Sequence, residues 1–248
     1  MKFSKYQGTG NDFIMIDNRT LFFDKENVEY IHQLCERRFG IGADGLILLE
    51  EDKDVDFKMV YYNADGRKST MCGNGGRCIV AFAKELGVIN KKNVLFRAID
   101  GLHHAEIEDK EVKLQMNVDE YLEQIDENSF FINTGSPHVV KIVEEMPANF
   151  VEEAKKIRHN ERFNREGVNV NFITIKEDKY QIRTFERGVE DETLSCGTGN
   201  VAAGIVLKNK LDKKIFKLAT RGGFLEILFD ESIVYLKGSA VKTFDGYF

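Results

Sequence analysis

Short runs of alternating or contiguous apolar positions recur along most of the chain, and they predict many strands with few helices. Residues 13–17, 46–49, 57–63 and 94–99 read as strands, and 105–116 as a hairpin broken at Asp109-Lys110. The series continues at 130–133, 139–143, 168–175, 180–186, 216–219, 224–229 and 233–236, with Gly222-Gly223 as a turn. Four stretches have helical period instead. The first spans 24–38, capped by Asp24, with Val28, Ile31, Leu34 and Cys35 on one face. The second starts near 74–76, turns Ile79, Val80, Phe82, Ala83 and Leu86 inward, and stops at Gly87. The third covers 150–158. The fourth starts near Gly199 and carries Val201, Ala202, Ile205 and Val206. The second and fourth are apolar nearly all round, as helices enclosed by other structure are.

Those two helices open on the same short pattern. Cys72-Gly73-Asn74-Gly75 and Cys196-Gly197-Thr198-Gly199 each follow a strand and a polar loop, and they lie half the chain length apart. Gly8-Thr9-Gly10 and Thr134-Gly135-Ser136 form a weaker echo of the same kind. The pattern reads as an old duplication. The expected fold class is α+β: two pseudo-symmetric lobes, each a curved, mainly antiparallel β-sheet or barrel wrapped around a central helix. The expected lobes are residues 1–117, carrying Cys72, and 118–238, carrying Cys196, with the boundary near 117–121.

Composition narrows the function classes. With 248 residues, 42% hydrophobic and 31% charged, the chain has the profile of a globular protein with a substantial core. Its net charge of −6 argues against a nucleic-acid partner, which would need clustered Lys and Arg. No apolar run approaches the roughly 20 residues of a membrane helix, and residues 1–6 lack a signal-peptide core. A cytosolic protein without a membrane partner is expected. The four cysteines, Cys35, Cys72, Cys78 and Cys196, are then expected as thiols. None forms a Cys-x-x-Cys pair or a zinc-finger spacing. Cys35 and Cys78 fall on buried helix faces.

Cys-Gly-x-Gly at a helix start has a specific chemistry. The first N–H groups of a helix have no internal partners and carry partial positive charge. A thiol there ionises more readily, and the glycines let a ligand carboxylate approach the bare N–H groups. Two such elements acting on one carboxylate would flank its Cα with a sulfur on each face. One thiolate could remove the Cα proton while the opposite thiol returns one, which inverts the centre. Without a cofactor, the carbanion must be stabilised by fixed dipoles in a water-poor pocket. Proton transfer by positioned groups adds roughly 10²–10⁴-fold.

At these residues the chain resembles the diaminopimelate epimerase family, in ordered blocks almost end to end. They are Gly8-Thr9-Gly10-Asn11-Asp12-Phe13, Arg38-Phe39-Gly40-Ile41-Gly42-Ala43-Asp44-Gly45, Asn63-Ala64-Asp65-Gly66 with Met71-Cys72-Gly73-Asn74-Gly75-Gly76-Arg77-Cys78, Gly135-Ser136-Pro137-His138, Val168-Asn169-Val170-Asn171-Phe172, Glu186-Arg187-Gly188-Val189, and Glu192-Thr193 leading into Cys196-Gly197-Thr198-Gly199. The resemblance implies that Cys72 and Cys196 are the acid–base pair of a cofactor-independent epimerase acting on a small amino-acid substrate. It implies that backbone N–H groups of Gly73, Asn74, Gly197 and Thr198 hold the reacting carboxylate. Asn63, Asn169 and Arg187 would bind the distal carboxylate, Arg187 by a two-pronged contact. Asn11 would line the pocket, while His138 and Glu186 would tune protonation beside the sulfurs and the α-amino group. The resemblance also implies a homodimer, and a C-terminal strand at 239–248 that returns to the first lobe. Ser136 stands where the family often has Asn, and Gly45 where some members have Gln.

Other readings remain open on the residues alone. Asn11 and Asn63 could close turns, Glu186-Arg187 could be a surface ion pair, and His138 could be a core histidine. His32 and His159 read as helix-surface residues, and His103 and His104 carry no assigned role. Gly40-x-Gly42-x-x-Gly45 matches a dinucleotide fingerprint literally, but a helix precedes it and a strand follows, the reverse of that motif's order. Rival functions are a racemase of another amino acid such as histidine, a non-catalytic amino-acid-binding protein, and a thiol redox protein.

Overall fold

The computed structural model describes residues 1–118 and 121–248. Contacts divide the chain into two units, Met1–Leu114 with Gly238–Phe248, and Gln115–Lys237. The expected boundary near 117–121 includes Asp119 and Glu120, which lie outside the described residues.

The first unit holds β1 (Lys2–Gly8), β2 (Asn11–Asp17), α1 (Val28–Cys35), β3 (Gly45–Glu50), β4 (Phe57–Asn63), α2 (Gly73–Glu85), β5 (Asn93–Ala98), β6 (Gly101–Glu108) and most of β7 (Glu111–Met116), whose last two residues fall in the second. The second holds β8 (Leu122–Gln124), β9 (Ser129–Asn133), β10 (Pro137–Ile142), α3 (Phe150–Arg158), β11 (Asn169–Lys176), β12 (Lys179–Glu186), β13 (Asp191–Thr193), α4 (Gly197–Leu211), β14 (Ile215–Thr220), β15 (Gly223–Asp230) and most of β16 (Ile233–Ser239), whose last two residues fall in the first. The last strand, β17 (Val241–Tyr247), pairs with β1.

Strand pairing repeats. β1–β2 is antiparallel, β2–β3 parallel, β3–β4 antiparallel, β4–β5 parallel and β5–β6 antiparallel. β9–β10, β10–β11, β11–β12, β12–β14 and β14–β15 follow the same succession. β8 lies antiparallel on β9 as β17 does on β1. The fold is thus α+β, with one sheet topology written twice, as the matched Cys-Gly-x-Gly segments predict.

In each unit one helix lies inside and one outside. α2 packs on β1, β2, β3, β4, β6 and β17, and α4 on β9, β10, β11, β12, β14 and β15. α1 and α3 cover the other face. This explains why β2 and β3 read as unbroken apolar runs: both faces of these strands are buried. Ile14, Ile16, Leu46 and Leu48 join Ile31, Leu34 and Cys35 of α1 in one core cluster. Ile47 and Phe13 point the other way, to the inner helix at Gly75. In the second unit Val139, Val170, Phe172 and Phe185 join Phe150 and Ala154 of α3. Phe172 meets Phe150 edge-on, ring centroids 5.3 Å apart. Truncating such a buried Phe to Ala costs about 3–5 kcal/mol.

Several expectations need correction. The first helix is shorter than 24–38: Asn27, not Asp24, caps it, its Oδ1 accepting the Tyr30 N–H at 3.0 Å. Asp24 instead accepts from the Glu26 N–H, which closes a turn ahead of the helix. At the other end the Glu36 carboxylate takes the Arg38 and Phe39 N–H groups and stops propagation after Cys35. β1, β8 and β13 were not foreseen. The hairpin after 99 begins at Gly101, with His103 buried in it, stacked on Phe96 and 3.1 Å from the Asp100 carboxylate.

Candidate active site

Cys72 and Cys196 are the N-cap residues of the two inner helices, both with extended backbone (φ −97°, ψ 130° and φ −109°, ψ 116°). The helical ladder begins with Gly76 N–H to Cys72 O at 2.7 Å and Asn200 N–H to Cys196 O at 3.0 Å. The N–H groups of Gly73 and Asn74, and of Gly197 and Thr198, therefore lie ahead of the first rung. Neither first turn carries an acidic residue, so no carboxylate of the helix itself occupies its positive end.

Around Cys72, Asn11 is the organising side chain. It stands at the first position of β2, and its Oδ1 lies 3.7 Å from Cys72 Sγ and accepts from Asn74 Nδ2 at 3.2 Å. Its own Nδ2 donates to Asp44 at 2.6 Å. Asp44 shares Arg37 with Asp12, at 2.6 and 2.8 Å. Burial pushes the Asp12 carboxyl up, but hydrogen bonds from Arg37 and Lys5 outweigh it and hold the pKa at about 2. Asn11 is thus anchored by charged groups rather than free in a turn. Asn63 ends β4 with its side chain exposed, and its backbone closes a turn with Gly66 and Arg67. Gly45, its register partner, has no room for a side chain: a Cβ there would meet Tyr62 O at 2.5 Å and the Tyr61 ring at 2.6 Å. Tyr61 fills the space that a longer residue at 45 would need.

Around Cys196 the strand period does the positioning. In β11, Val170 and Phe172 face α3, so Asn169 and Asn171 face α4. His138 of β10 pairs in register with Asn169, and Thr184 of β12 with Asn171. Asn171 Nδ2 donates to Val139 O and to His138 Nδ1, both at 3.1 Å, and its Oδ1 accepts from Thr184 at 2.9 Å. That fixes the amide orientation and makes Nδ1 an acceptor, so the imidazole hydrogen is on Nε2. Nε2 lies 3.0 Å from Thr198 Oγ1, which lies 3.4 Å from Cys196 Sγ. A donated hydrogen from His138 leaves the Thr198 hydroxyl hydrogen to point at the sulfur. Burial, helped by the Arg187 charge, drives the His138 pKa down to about 3. The ring is neutral at physiological pH, as this chain of donors requires. Gly199 is small for the same network: a Cβ there would lie 2.4 Å from Asn171 Oδ1.

Asn169 Oδ1 accepts the Arg187 N–H at 2.8 Å, and Arg187 Nη1 donates to Glu166 O at 2.9 Å. Glu186 ends β12 and accepts the Thr193 hydroxyl at 2.5 Å. Asn171, Thr134, whose hydroxyl donates to Thr198 O at 2.9 Å, and Arg37 were missed as site residues. The Val-Asn-Val-Asn alternation in 168–171 was the signal available for Asn171. Cys35 and Cys78 are buried, and burial raises each thiol to about 12. Among the described residues no three His, Cys, Asp or Glu side chains are grouped to hold a metal ion. No helix among them is long and apolar enough to cross a membrane.

A family model described as diaminopimelate epimerase matches residues 3–122 and 130–243. The chain belongs to the diaminopimelate epimerase family. A diaminopimelate epimerase from Flavobacterium psychrophilum is 52% identical, with 99% of each chain covered. One from Chlorobaculum tepidum is 42% identical, covering 96% of this chain and 98% of that one. Solved structures share the fold at much lower identity. A Bacillus anthracis phenazine biosynthesis protein of the PhzF family superposes with TM-score 0.78 at 12% identity, covering 99% and 98% of the two chains. A probable proline racemase from Agrobacterium radiobacter gives 0.72 at 15%, covering 100% and 92%. In this diaminopimelate epimerase family member, both Cys-Gly-x-Gly segments sit at the starts of enclosed helices.

Proposed function

We propose that this chain interconverts L,L- and meso-diaminopimelate without a cofactor, in lysine and peptidoglycan-precursor synthesis. One cysteine, as thiolate, takes the Cα proton and becomes a thiol. The other, as thiol, gives a proton to the opposite face and becomes a thiolate, so charge and protons balance. The observation that carries this reading is the pair of cysteine N-caps on two helices, each enclosed by its own copy of one sheet topology. The N–H groups of Gly73, Asn74, Gly197 and Thr198 hold the reacting carboxylate and stabilise charge that spreads onto it. Asn63, Asn169 and Arg187 take the distal carboxylate, and Arg187 selects for it because its guanidinium matches a carboxylate in two prongs. Asn11 lines the pocket. His138 acts through Thr198, and Glu186 receives the α-amino group.

The further expectations, two lobes at 1–117 and 118–238 completed by 239–248, a homodimer, and residence in the cytosol, belong to this same reading. The test is incubation with each pure diaminopimelate stereoisomer and, separately, with L-histidine. Diaminopimelate should reach the same isomer mixture from either side, and histidine should stay unchanged. Histidine racemisation with unchanged diaminopimelate would replace this reading by the racemase alternative. Arg187→Leu should raise KM for diaminopimelate by tenfold or more, since a charge-assisted pair contributes about 1.5–3 kcal/mol.

A further inference from the structure

The duplicated helices differ in one buried charge. Five residues after Cys72 stands Arg77, whereas five after Cys196 stands Val201. Arg77 is 0% exposed. Among the described residues no carboxylate lies within 4.0 Å of its guanidinium. Its partners are neutral and distant: Nη1 to Gly73 O at 3.4 Å, Nη2 to Thr9 Oγ1 at 3.3 Å, and Nε to Ser239 O at 3.5 Å. The guanidinium lies under the first turn of α2, so close to the β1 end that a Cβ on Gly8 would meet it at 3.0 Å. In the second unit Thr134, the counterpart of Thr9, donates to the helix backbone at Thr198 O. In the first, the guanidinium stands between Thr9 and the helix.

An arginine does not deprotonate in a protein, and a buried charge without an opposite charge is costly. The other charged groups around α2 are committed elsewhere. Lys5 pairs with Asp12 at 2.8 Å, Tyr6 donates to Glu85 at 2.7 Å, and Lys242 pairs with Glu85 and Asp245. On β3, β4 and β6, Glu50 pairs with Lys25 and Lys58, and His103 with Asp100. The groups whose negative charge Arg77 would feel are the Cys78 and Cys72 sulfurs. Burial holds the Cys78 thiol protonated, with its pKa raised to about 12. That leaves Cys72.

We propose that Arg77 is a positioning residue whose buried charge adds to the α2 N-terminus and favours the thiolate of Cys72, so that the two sulfurs are inequivalent at rest. Cys72 is then the thiolate of the resting enzyme, and Cys196, whose helix carries Val201 where α2 carries Arg77, is the thiol. This rests on the proton-transfer roles proposed above. Ionisation can nonetheless be read without turnover, so the two can fail separately.

The experiment is the pH dependence of iodoacetamide alkylation on the full chain, followed peptide by peptide by mass spectrometry. Cys72 is titrated in Cys196→Ala and Cys196 in Cys72→Ala, so that each sulfur ionises alone. Cys72 should titrate at lower pH than Cys196. Adding Arg77→Met should raise the Cys72 midpoint by about one pH unit or more, the scale of losing a nearby opposite charge. Arg77→Lys should restore most of that shift, which a merely space-filling role would not do. Equal shifts for Met and Lys, or no shift in a folded Arg77→Met, would overturn the proposal. If Arg77→Met does not fold, the order of the two midpoints decides: Cys72 at or above Cys196 overturns it.

Discussion

Thr198→Val isolates the hydroxyl that joins His138 to Cys196. Valine keeps the branched shape, so the start of α4 and its packing are retained. Two hydrogen bonds go: Nε2–H of His138 to Oγ1 at 3.0 Å, and Oγ1–H to Cys196 Sγ at 3.4 Å. The second acts on the thiolate form. A hydrogen bond to a charged group contributes about 1.5–3 kcal/mol, which is roughly 10–100-fold in the fraction of thiolate, or one to two pH units. The rate limb on which Cys196 is the base should therefore fall and move to higher pH by that amount. The limb on which Cys72 is the base should change less. The first loss leaves a buried N–H without a partner and should cost about 1–3 kcal/mol of stability. Thr198→Ser restores the hydroxyl and should recover both quantities. Initial rates from each stereoisomer between pH 6 and 10, with urea unfolding alongside, measure them. A Thr198→Val protein with the wild-type pH profile would refute the proposed donor chain.

Gly199→Ala should fail through the same network, because its Cβ would press on Asn171 Oδ1, which is held by Thr184 and cannot swing away; a loss of about 1–3 kcal/mol in urea unfolding, with reduced kcat, is expected. His138 also gives a pH signature. Its folded pKa is near 3, against about 6.5 unfolded, so below about pH 6.5 the unfolded chain takes up a proton that the folded one does not. Its contribution to the fall in stability is up to about 1.4 kcal/mol per pH unit between pH 6 and 4, and His138→Asn should flatten the measured slope by that amount. Cys78→Ala should keep activity within a few-fold and leave Cys72 alkylation unchanged, since the Cys78 thiol is buried and protonated.

Much of this was legible in the sequence because the signals were local. Cys-Gly-x-Gly marks both inner helix starts, and the apolar runs of β2 and β3 announce strands buried on both faces. β1 escaped because its buried positions include Ser4 and Lys5, which are satisfied by Asp245 and Asp12 from other strands. The start of α1 was misplaced because Asp24 and Asn27 are both good caps; only the structure shows which side chain faces a helical N–H. Asn171 was visible as a residue but not as the group that fixes the His138 tautomer, since that depends on three strands in register. Arg77 lay inside a motif read for its cysteine and glycines, and its lack of a carboxylate partner among the described residues is a property of the packed unit.

The central claim is proton exchange between two cysteines and one Cα, and stereochemical inversion in D₂O tests it most directly. Wild-type protein, Cys72→Ala and Cys196→Ala are each started from a single diaminopimelate stereoisomer. The account predicts that wild type forms the opposite isomer carrying deuterium at Cα while the unreacted isomer retains hydrogen, and that neither variant inverts it. Inversion sustained by either alanine variant would contradict it.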